Sequence, residues 1–327
     1  MPEISDRAET FTDAERARLA PYFTNLDGHV FALTNLPETV KGALFARYSR
    51  SAKSLRRLFL DEFADDIAPA AAAGGAVGVG RAEKLYAKVF NEYGDDSVAQ
   101  LGSAHVACEY SSNVLTKVLE WGRLMAYLEQ STRYVPYTDK LHGKWRYHVP
   151  AELTGALRDR YVRTMDDAFE RYAKWIPPMQ EYFAKRYPRA AADSEAVHRA
   201  AVRAKALDTL RGMLPAATSS NVGIFGTGQA FEALLMRMHA NPLAEVRACA
   251  GELLTELRKV IPSFLVRVDQ PDRGLRWSAY FAGTRSETTA VAARVLADEH
   301  PQERPEVVLT GSDPEGEIKV AAAALYP

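Results

Sequence analysis

The sequence predicts an α+β protein that is predominantly helical and has a small mixed or antiparallel sheet. Four long segments have the apolar spacing of amphipathic helices: 153–186, 193–213, 229–240 and 243–260. Two short segments, "HVFALTNL" at 29–36 and "AHVACEY" at 104–110, are typical of strands. The chain of 327 residues is 47% hydrophobic and 25% charged, which is ordinary for a globular protein.

The first predicted helix covers residues 11–22. Thr12 is its N-cap, and Glu15 three residues later completes a capping box. Pro37 is suited to the first turn of the next helix, which we place at 38–63. Its positive side chains lie mostly three apart and so largely on one face: Arg47, Arg50, Lys53, Arg56 and Arg57. Such a face is usually solvated or salt-bridged, and the net charge of −1 argues against nucleic acid as a partner.

The middle of the chain contains a loop, two helices and a turn in this interpretation. Residues 68–80 are small and glycine-rich, which is typical of a loop, and a helix follows at 81–93. Over residues 111–129 the apolar side chains keep helical spacing, which predicts a buried helix with Trp121 on its packed face. The "GIFGTG" at 223–228 lacks the GxGxxG order and a strong preceding strand, so it predicts a turn.

Several classes of protein are disfavoured by the sequence. Cys108 and Cys249 lie in apolar surroundings and form no CxxC pattern, which argues against a disulfide framework or a zinc site. The N-terminal segment is acidic and lacks the apolar core of a signal peptide. No apolar run reaches membrane-spanning length. These features predict a cytoplasmic protein with no membrane partner.

The stretch "LEQSTRYVPY" concentrates polar side chains at the end of a predicted helix. Arg133 offers a planar, permanently charged fork that suits a phosphate or a pyrimidine carbonyl, and Ser131 adds a hydroxyl two residues away. Glu129 is able to accept from a ribose hydroxyl, and Arg247 would supply a second guanidinium for a phosphate. The alternative is a surface loop in which Arg133 pairs with Glu129 or Asp139.

Four motifs in this chain resemble those of the flavin-dependent thymidylate synthase family, in the same order. "EQSTRYV" resembles the Ser-x-Arg-Tyr element that ends the family signature and holds deoxyuridylate. Upstream, "YGDDSVAQL" stands where the family has a Gly-His-x-Ser-x-x-Glu-His element. Downstream, "ARAKALDTLRGMLP" resembles an Ala-Arg-x-x-Leu-Pro helix end, and "LAEVRACAGELL" resembles a Glu-Ile-Arg helix. Together the motifs cover about residues 30–265.

The resemblance implies reductive methylation of deoxyuridylate at C5, with methylenetetrahydrofolate, FAD and NADPH. It also implies a homo-oligomer, a homotetramer in the family, with sites at the subunit interfaces. Nucleotide binding is implied for Glu129, Ser131, Arg133 and Arg247. Flavin contacts are implied for Arg123, Ser97 and Ser49. No covalent nucleophile is required, and neither cysteine is placed to be one.

The flavin side of the family signature is altered in this chain. The Arg-His-Arg element falls on Trp121, Gly122 and Arg123, so only its second arginine remains. The upstream histidine that helps to bind flavin falls on Asp95. Because flavin electronics depend on the protein groups around the ring system, three hypotheses follow. The protein is an active enzyme with a relaxed flavin site, a degenerate homologue that keeps nucleotide binding or a scaffold role, or a flavin or folate enzyme with another substrate.

Two distant segments share a pattern. Residues 33–48 and 309–326 both contain LT, then PE, then K-x-A-x-x-A-x-Y, which predicts an internal repeat. The alternative is chance similarity between two alanine-rich helix starts. On the repeat interpretation, residues 1–304 form one domain, and residues 305–327 are the start of a second copy in a duplicated protein.

Overall fold

The structure is a computed structural model. It describes these residues, apart from the side chains of residues 38 and 39: 9–65, 99–100, 102–300, 303, 306–309 and 311–325. The predicted loop at 68–80, the predicted helix at 81–93 and Ser97 lie outside the described residues.

The helices and strands of the described residues are as follows. The helices are α1 Asp13–Leu19, α2 Glu38–Tyr48, α3 Leu55–Glu62, α4 Asn113–Leu119, α5 Gly155–Arg186, α6 Glu195–Leu210, α7 Gly228–His239, α8 Ala244–Leu257, α9 Gly274–Val295 and α10 Gly316–Leu325. The strands are β1 Val30–Leu33, β2 Ser103–Ser112, β3 Met125–Glu129 and β4 Ser219–Thr227. Short 3-10 helices cover Arg211–Met213 and Pro262–Phe264.

The predicted fold class is confirmed. The strands form an antiparallel sheet in the order β1-β2-β4-β3, so the protein is α+β and mainly helical. The capping box at the start of α1 is also confirmed: the Glu15 amide donates to Thr12 Oγ1 at 3.3 Å, and the Thr12 amide donates to Glu15 Oε2 at 2.8 Å. No helix of the described residues combines the length and apolar character needed to cross a membrane.

The sheet separates two apolar cores. Since successive side chains of a strand point to opposite faces, Val106 and Cys108 of β2 pack with α4, α7 and α8, whereas Ala107 packs with α1, α2 and α3. A third core lies between α5, α6 and the segment from Tyr137 to Tyr147. The end of β3 lies next to α2. The turn after β3 reaches the end of α6 through the contact between Arg133 and Asp208.

The predicted helix at 111–129 is wrong. Helix α4 ends at Leu119, a turn follows, and β3 then pairs with β4. The Tyr127 hydroxyl closes the turn by donating to the Gly122 carbonyl at 2.9 Å. Trp121 is 72% exposed rather than packed. Met125 and Tyr127 pack against the core, two residues apart as in a strand. The strand is short, and its apolar residues continue the helical spacing of the residues before it, so the sequence pattern predicts a helix.

The predicted turn at "GIFGTG" is also wrong, because most of it belongs to the internal strand β4. Gly223 packs against the ring of Phe45: a Cβ at this position would lie 2.9 Å from the nearest ring atoms. Gly226 packs against Met125 in the same way, with 2.5 Å to the nearest side-chain atom. The glycines therefore mark close packing within a strand, not a change of chain direction.

The predicted helix at 38–63 is two helices. Helix α2 ends at Tyr48, and Ser54 begins α3 by accepting from the Arg57 amide at 3.2 Å. In the connection between them, the carbonyls of Ser49 and Ser51 accept hydrogen bonds from the segment after β3.

A buried ion pair holds this connection on the sheet. Glu109 of β2 is 1% exposed, and its carboxylate lies 3.3 Å from the guanidinium of the fully buried Arg56. The same carboxylate accepts from the Leu55 amide at 3.0 Å and from the Tyr48 hydroxyl at 3.3 Å. Burial raises the pKa of Tyr48 well above its ordinary value, so the phenol remains a donor. Arg56 also stacks over Phe31, with its guanidinium carbon 4.2 Å from the ring centroid.

The chain divides into two compact units, Met1–Ala282 and Gly283–Pro327. Within the second unit, Lys319 Nζ lies 2.7 Å from the carboxylate of Asp313, next to the start of α10. The division into a domain at 1–304 and the start of a second copy at 305–327 stays a prediction.

We expect Glu109→Gln to lower the free energy of unfolding by about 3–5 kcal/mol, because Arg56 is left as an unpaired buried charge. The matched control is Glu62→Gln, which breaks the exposed pair of Arg47 and Glu62 (54% and 32% exposed). The control should cost at most about 1 kcal/mol. Urea denaturation followed by far-UV circular dichroism measures both. Equal losses for the two variants would show that the buried pair has no special role.

Candidate functional site

The segment after β3 is held by backbone hydrogen bonds on two sides. The Gln130 amide donates to the Asn221 carbonyl of β4 at 2.8 Å. The Ser131 amide donates to the Ser49 carbonyl at the end of α2, also at 2.8 Å. The structure therefore brings together two of the predicted site residues, Ser131 and Ser49, that are far apart in sequence.

The side chain of Gln130 completes this attachment. It is 4% exposed, and its amide nitrogen donates to the Ser51 carbonyl at 2.5 Å. Its amide oxygen accepts from the Tyr137 hydroxyl at 3.2 Å. Burial raises the pKa of Tyr137 to about 12, so this phenol keeps its proton near neutral pH. Gln130 therefore connects the loop after α2 with Tyr137, and it holds the segment between residues 130 and 137 at both ends.

A tight turn then presents Arg133 to solvent. The Val135 amide donates to the Ser131 carbonyl at 3.0 Å, and Val135 itself is buried. The Arg133 amide donates to Ser131 Oγ at 3.3 Å. The side chain of Arg133 remains 54% exposed. The turn therefore has a buried base and an exposed guanidinium at its tip.

Arg133 meets a second arginine on one carboxylate. Its Nε lies 3.0 Å from Asp208 Oδ1, near the end of α6. Arg211, the first residue of the following 3-10 helix, places Nη2 at 3.0 Å from the same oxygen. The carboxylates of the surface-loop alternative have other partners: Glu129 binds Lys117 at 3.1 Å, and Asp139 binds Arg146 at 2.7 Å. Two guanidinium groups therefore converge on a single oxygen atom.

Arg211 was not among the residues predicted from the sequence. It is the arginine of "LRGMLP", the part of the sequence that resembles the helix end of the family pattern. The Arg-x-x-Leu-Pro spacing was the available signal. Arg211 comes close to Arg133 only because Asp208 contacts both, and the contact between Asp208 and Arg133 joins residues that are 75 positions apart.

An open groove of about 900 Å³ adjoins Arg133. Its walls come from the turn and from α5 and α6, and its polar lining includes Arg133, Tyr134, Gln180, His198, Arg199 and Arg203. The guanidinium of Arg50 lies 5.6 Å from the ring centroid of Tyr134. The groove is thus wide and carries more positive than negative side chains, which suits an anionic ligand that extends beyond one phosphate.

The other predicted residues lie at separate points. Arg247 is exposed, and its Nη1 donates to the carbonyls of Asn241 and Pro242 at 2.7 Å each, in the turn before α8. Arg123 is exposed in the turn between α4 and β3. Ser49 is 9% exposed, and its hydroxyl donates to the Ala46 carbonyl at 3.0 Å. The described contacts of Arg247 do not connect it with Arg133.

Neither cysteine belongs to this site. Cys108 and Cys249 are free and lie in the core between β2 and α8, at 0% and 3% exposure. A hydrogen bond with Cys108, together with burial, raises the pKa of the Cys249 thiol well above its ordinary value. Within the part of the chain that the structure describes, no group of three histidine, cysteine or carboxylate side chains is arranged to hold a metal ion.

Comparisons with known proteins identify related chains. A family model described as thymidylate synthase complementing protein matches residues 41–263. The UPF0159 protein of Chlamydia muridarum is 40% identical over 324 residues, which cover 97% of this chain and 61% of that protein. The "Probable flavin-dependent thymidylate synthase" of Mycobacterium phage D29 is 30% identical over 176 residues, or 53% of this chain and 67% of that protein. The structure of the flavin-dependent thymidylate synthase ThyX from Helicobacter pylori, complexed with FAD and dUMP, aligns with a TM-score of 0.41 and 13% identity, covering 57% of this chain and 81% of that chain.

The structure is an α+β protein in which two arginines meet on one carboxylate, close to the end of the edge strand β3. The family model matches more than half of the chain, including most of α2, the strands β2 to β4, and α8. The chain therefore belongs to the thymidylate synthase complementing protein family. It spans less than two thirds of the length of its chlamydial relative, at 61%.

We expect Gln130→Ala to loosen the turn that carries Arg133. The change leaves the buried Tyr137 hydroxyl without its acceptor, which should cost about 1–3 kcal/mol in the free energy of unfolding. Amide hydrogen exchange at residues 131–135 should accelerate as well. The control is Gln180→Ala in the groove wall, where we expect a change within about 0.5 kcal/mol. If exchange at residues 131–135 is the same in both variants, Gln130 does not hold the turn.

Proposed function

We propose that this chain binds the phosphate of a pyrimidine nucleotide, deoxyuridylate or a close analogue, through Arg133 and Arg211. The observation that supports this function is the convergence of the two guanidinium groups, each 3.0 Å from one carboxylate oxygen. A phosphate monoester is usually held by more than one charge-assisted donor, and the planar guanidinium matches its geometry. The family membership points to the same class of ligand.

Other residues complete the nucleotide site in this proposal. Ser131 begins the turn next to Arg133 and offers its hydroxyl to the phosphate. Glu129 ends β3, and its carboxylate, which is 28% exposed and paired with Lys117, accepts from a ribose hydroxyl. Arg247, near the start of α8, contributes a guanidinium contact. It binds either the base of the nucleotide or a neighbouring copy of the chain. The wide groove at Tyr134 receives the part of the ligand that lies beyond the phosphate.

The described residues do not fit a flavin without further groups. Of the two described residues assigned to flavin by resemblance, Ser49 uses its hydroxyl within its own helix turn, and Arg123 is exposed. Ser97 lies outside the described residues. We therefore derive no step of the reaction through FAD from this set of residues.

For a protein of the length of the chlamydial relative, we propose the reaction of the flavin-dependent thymidylate synthases. This reaction is the reductive methylation of deoxyuridylate at C5, with methylenetetrahydrofolate as carbon donor and FAD and NADPH as redox partners. The proposal includes a homo-oligomer, because the resemblance implies sites between subunits. It also includes a cytoplasmic location. This chain would hold the nucleotide.

A second candidate is a degenerate homologue that keeps nucleotide binding and has lost the chemistry. It is favoured by the replacement of two signature residues by Trp121 and Gly122, and by the engaged hydroxyl of Ser49. The absorbance spectrum of the purified protein separates the two candidates. Flavin bands together with methylation of deoxyuridylate support the enzyme, and a colourless protein that still binds deoxyuridylate supports the degenerate homologue.

Calorimetric titration with deoxyuridylate tests the nucleotide site. We expect Arg133→Ala and Arg211→Ala each to weaken binding by roughly ten- to a hundredfold, since one charged hydrogen bond is worth about 1.5–3 kcal/mol. The control is Arg16→Ala, which removes a partly exposed arginine that pairs with Asp27 at 2.6 Å and does not line the groove. It should change the affinity by less than about threefold. Unchanged affinity in both Arg133→Ala and Arg211→Ala contradicts the assignment.

A further inference from the structure

Asp208 occupies the point where the two arginines of the proposed site meet. One oxygen of its carboxylate, Oδ1, lies 3.0 Å from Arg133 Nε and 3.0 Å from Arg211 Nη2. Asp208 and Arg211 are three residues apart at the end of α6, whereas Arg133 comes from the turn after β3. A carboxylate therefore sits where the proposed ligand would place a phosphate oxygen.

The contact is open to exchange with solvent and ligands. The side chains of Asp208, Arg211 and Arg133 are 38%, 44% and 54% exposed. Ion pairs with this exposure are individually weak, since water and salt screen them. An arriving dianion with several acceptor oxygens makes more charge-assisted bonds to the two guanidinium groups than one carboxylate oxygen does. The displaced carboxylate needs only to turn toward water.

We propose that Asp208 is an internal stand-in for the phosphate of the ligand. It holds Arg133 and Arg211 together while the site is free of nucleotide, and it competes with the nucleotide for them. The affinity of the site is therefore set below what the two arginines alone would give. This inference rests on the proposed nucleotide site.

A different role for Asp208 predicts the opposite result. If the carboxylate only positioned the two arginines and remained in contact during binding, its removal would weaken the binding of an anion. If it is a stand-in, its removal strengthens binding. The sign of the change in affinity decides between the two.

The test compares Asp208→Asn with Glu195→Gln. Glu195 lies on the same helix and pairs with Arg199 at 2.5 Å, so the control removes an equal charge from a similar pair. Calorimetry is performed with two probes, deoxyuridylate and inorganic phosphate. For Asp208→Asn we expect the dissociation constants of both probes to fall roughly three- to thirtyfold, which corresponds to the release of two exposed ion pairs. Glu195→Gln should stay within about twofold of the unchanged protein.

The outcomes separate this inference from the proposed function. If Asp208→Asn binds phosphate more weakly than Glu195→Gln, equally well, or not at all, the stand-in is overturned. The nucleotide function survives that result if the unchanged protein binds deoxyuridylate and Arg133→Ala loses it. If Asp208→Asn gains affinity for inorganic phosphate while no variant binds deoxyuridylate, the stand-in holds and the nucleotide function fails. Asp208→Ser is the second variant if the asparagine disturbs the end of α6, and the same sign is required of it.

Discussion

The carboxylate of Glu109, buried in β2, is the contact on which the geometry of the site depends. It binds Arg56, the Leu55 amide and the Tyr48 hydroxyl, and so holds the end of α2 and the start of α3 on the sheet. The connection between these helices offers the carbonyls of Ser49 and Ser51 to the segment after β3. A charge buried at 1% exposure requires a partner, and here the requirement also fixes the backbone of a neighbouring loop.

Between Glu109 and Arg133 the polar contacts change from buried to exposed. Gln130 is enclosed and satisfied at both ends of its amide, whereas Arg133, three residues later, is more than half exposed. Rigid polar contacts thus define where the guanidinium is, and the weak, solvent-screened contact with Asp208 leaves it free to change partner. Both properties favour ligand binding. A donor that is already in position loses little entropy when a ligand binds, and little free energy is needed to break its exposed contact.

The sequence predicted part of the candidate site and missed the rest for a geometric reason. The Ser131 and Arg133 pattern was recognisable because both residues lie in one short motif. Arg211 and Asp208 were not recognised, because their role depends on α6 reaching the turn after β3 across 75 positions of the chain. The surface-loop alternative was right that Arg133 makes an ion pair and wrong about the partner. For Arg247 the sequence suggested a second guanidinium beside Arg133, and the described contacts instead hold it in the turn before α8.

The sequence by itself determined the elements whose signals are local. The capping box of α1, the strand β2 and the helices α5 to α8 follow from neighbouring residues and from uninterrupted periodicity, so they were predictable. Only the tertiary structure decided that α4 stops at Leu119, that residues after it form β3, and that a glycine-rich run is the strand β4. The reason is packing: Gly223 lies under the ring of Phe45, and β3 has a partner only because β4 is there to receive it. Such strands gain their stability from residues far away in sequence, and a local pattern does not record them.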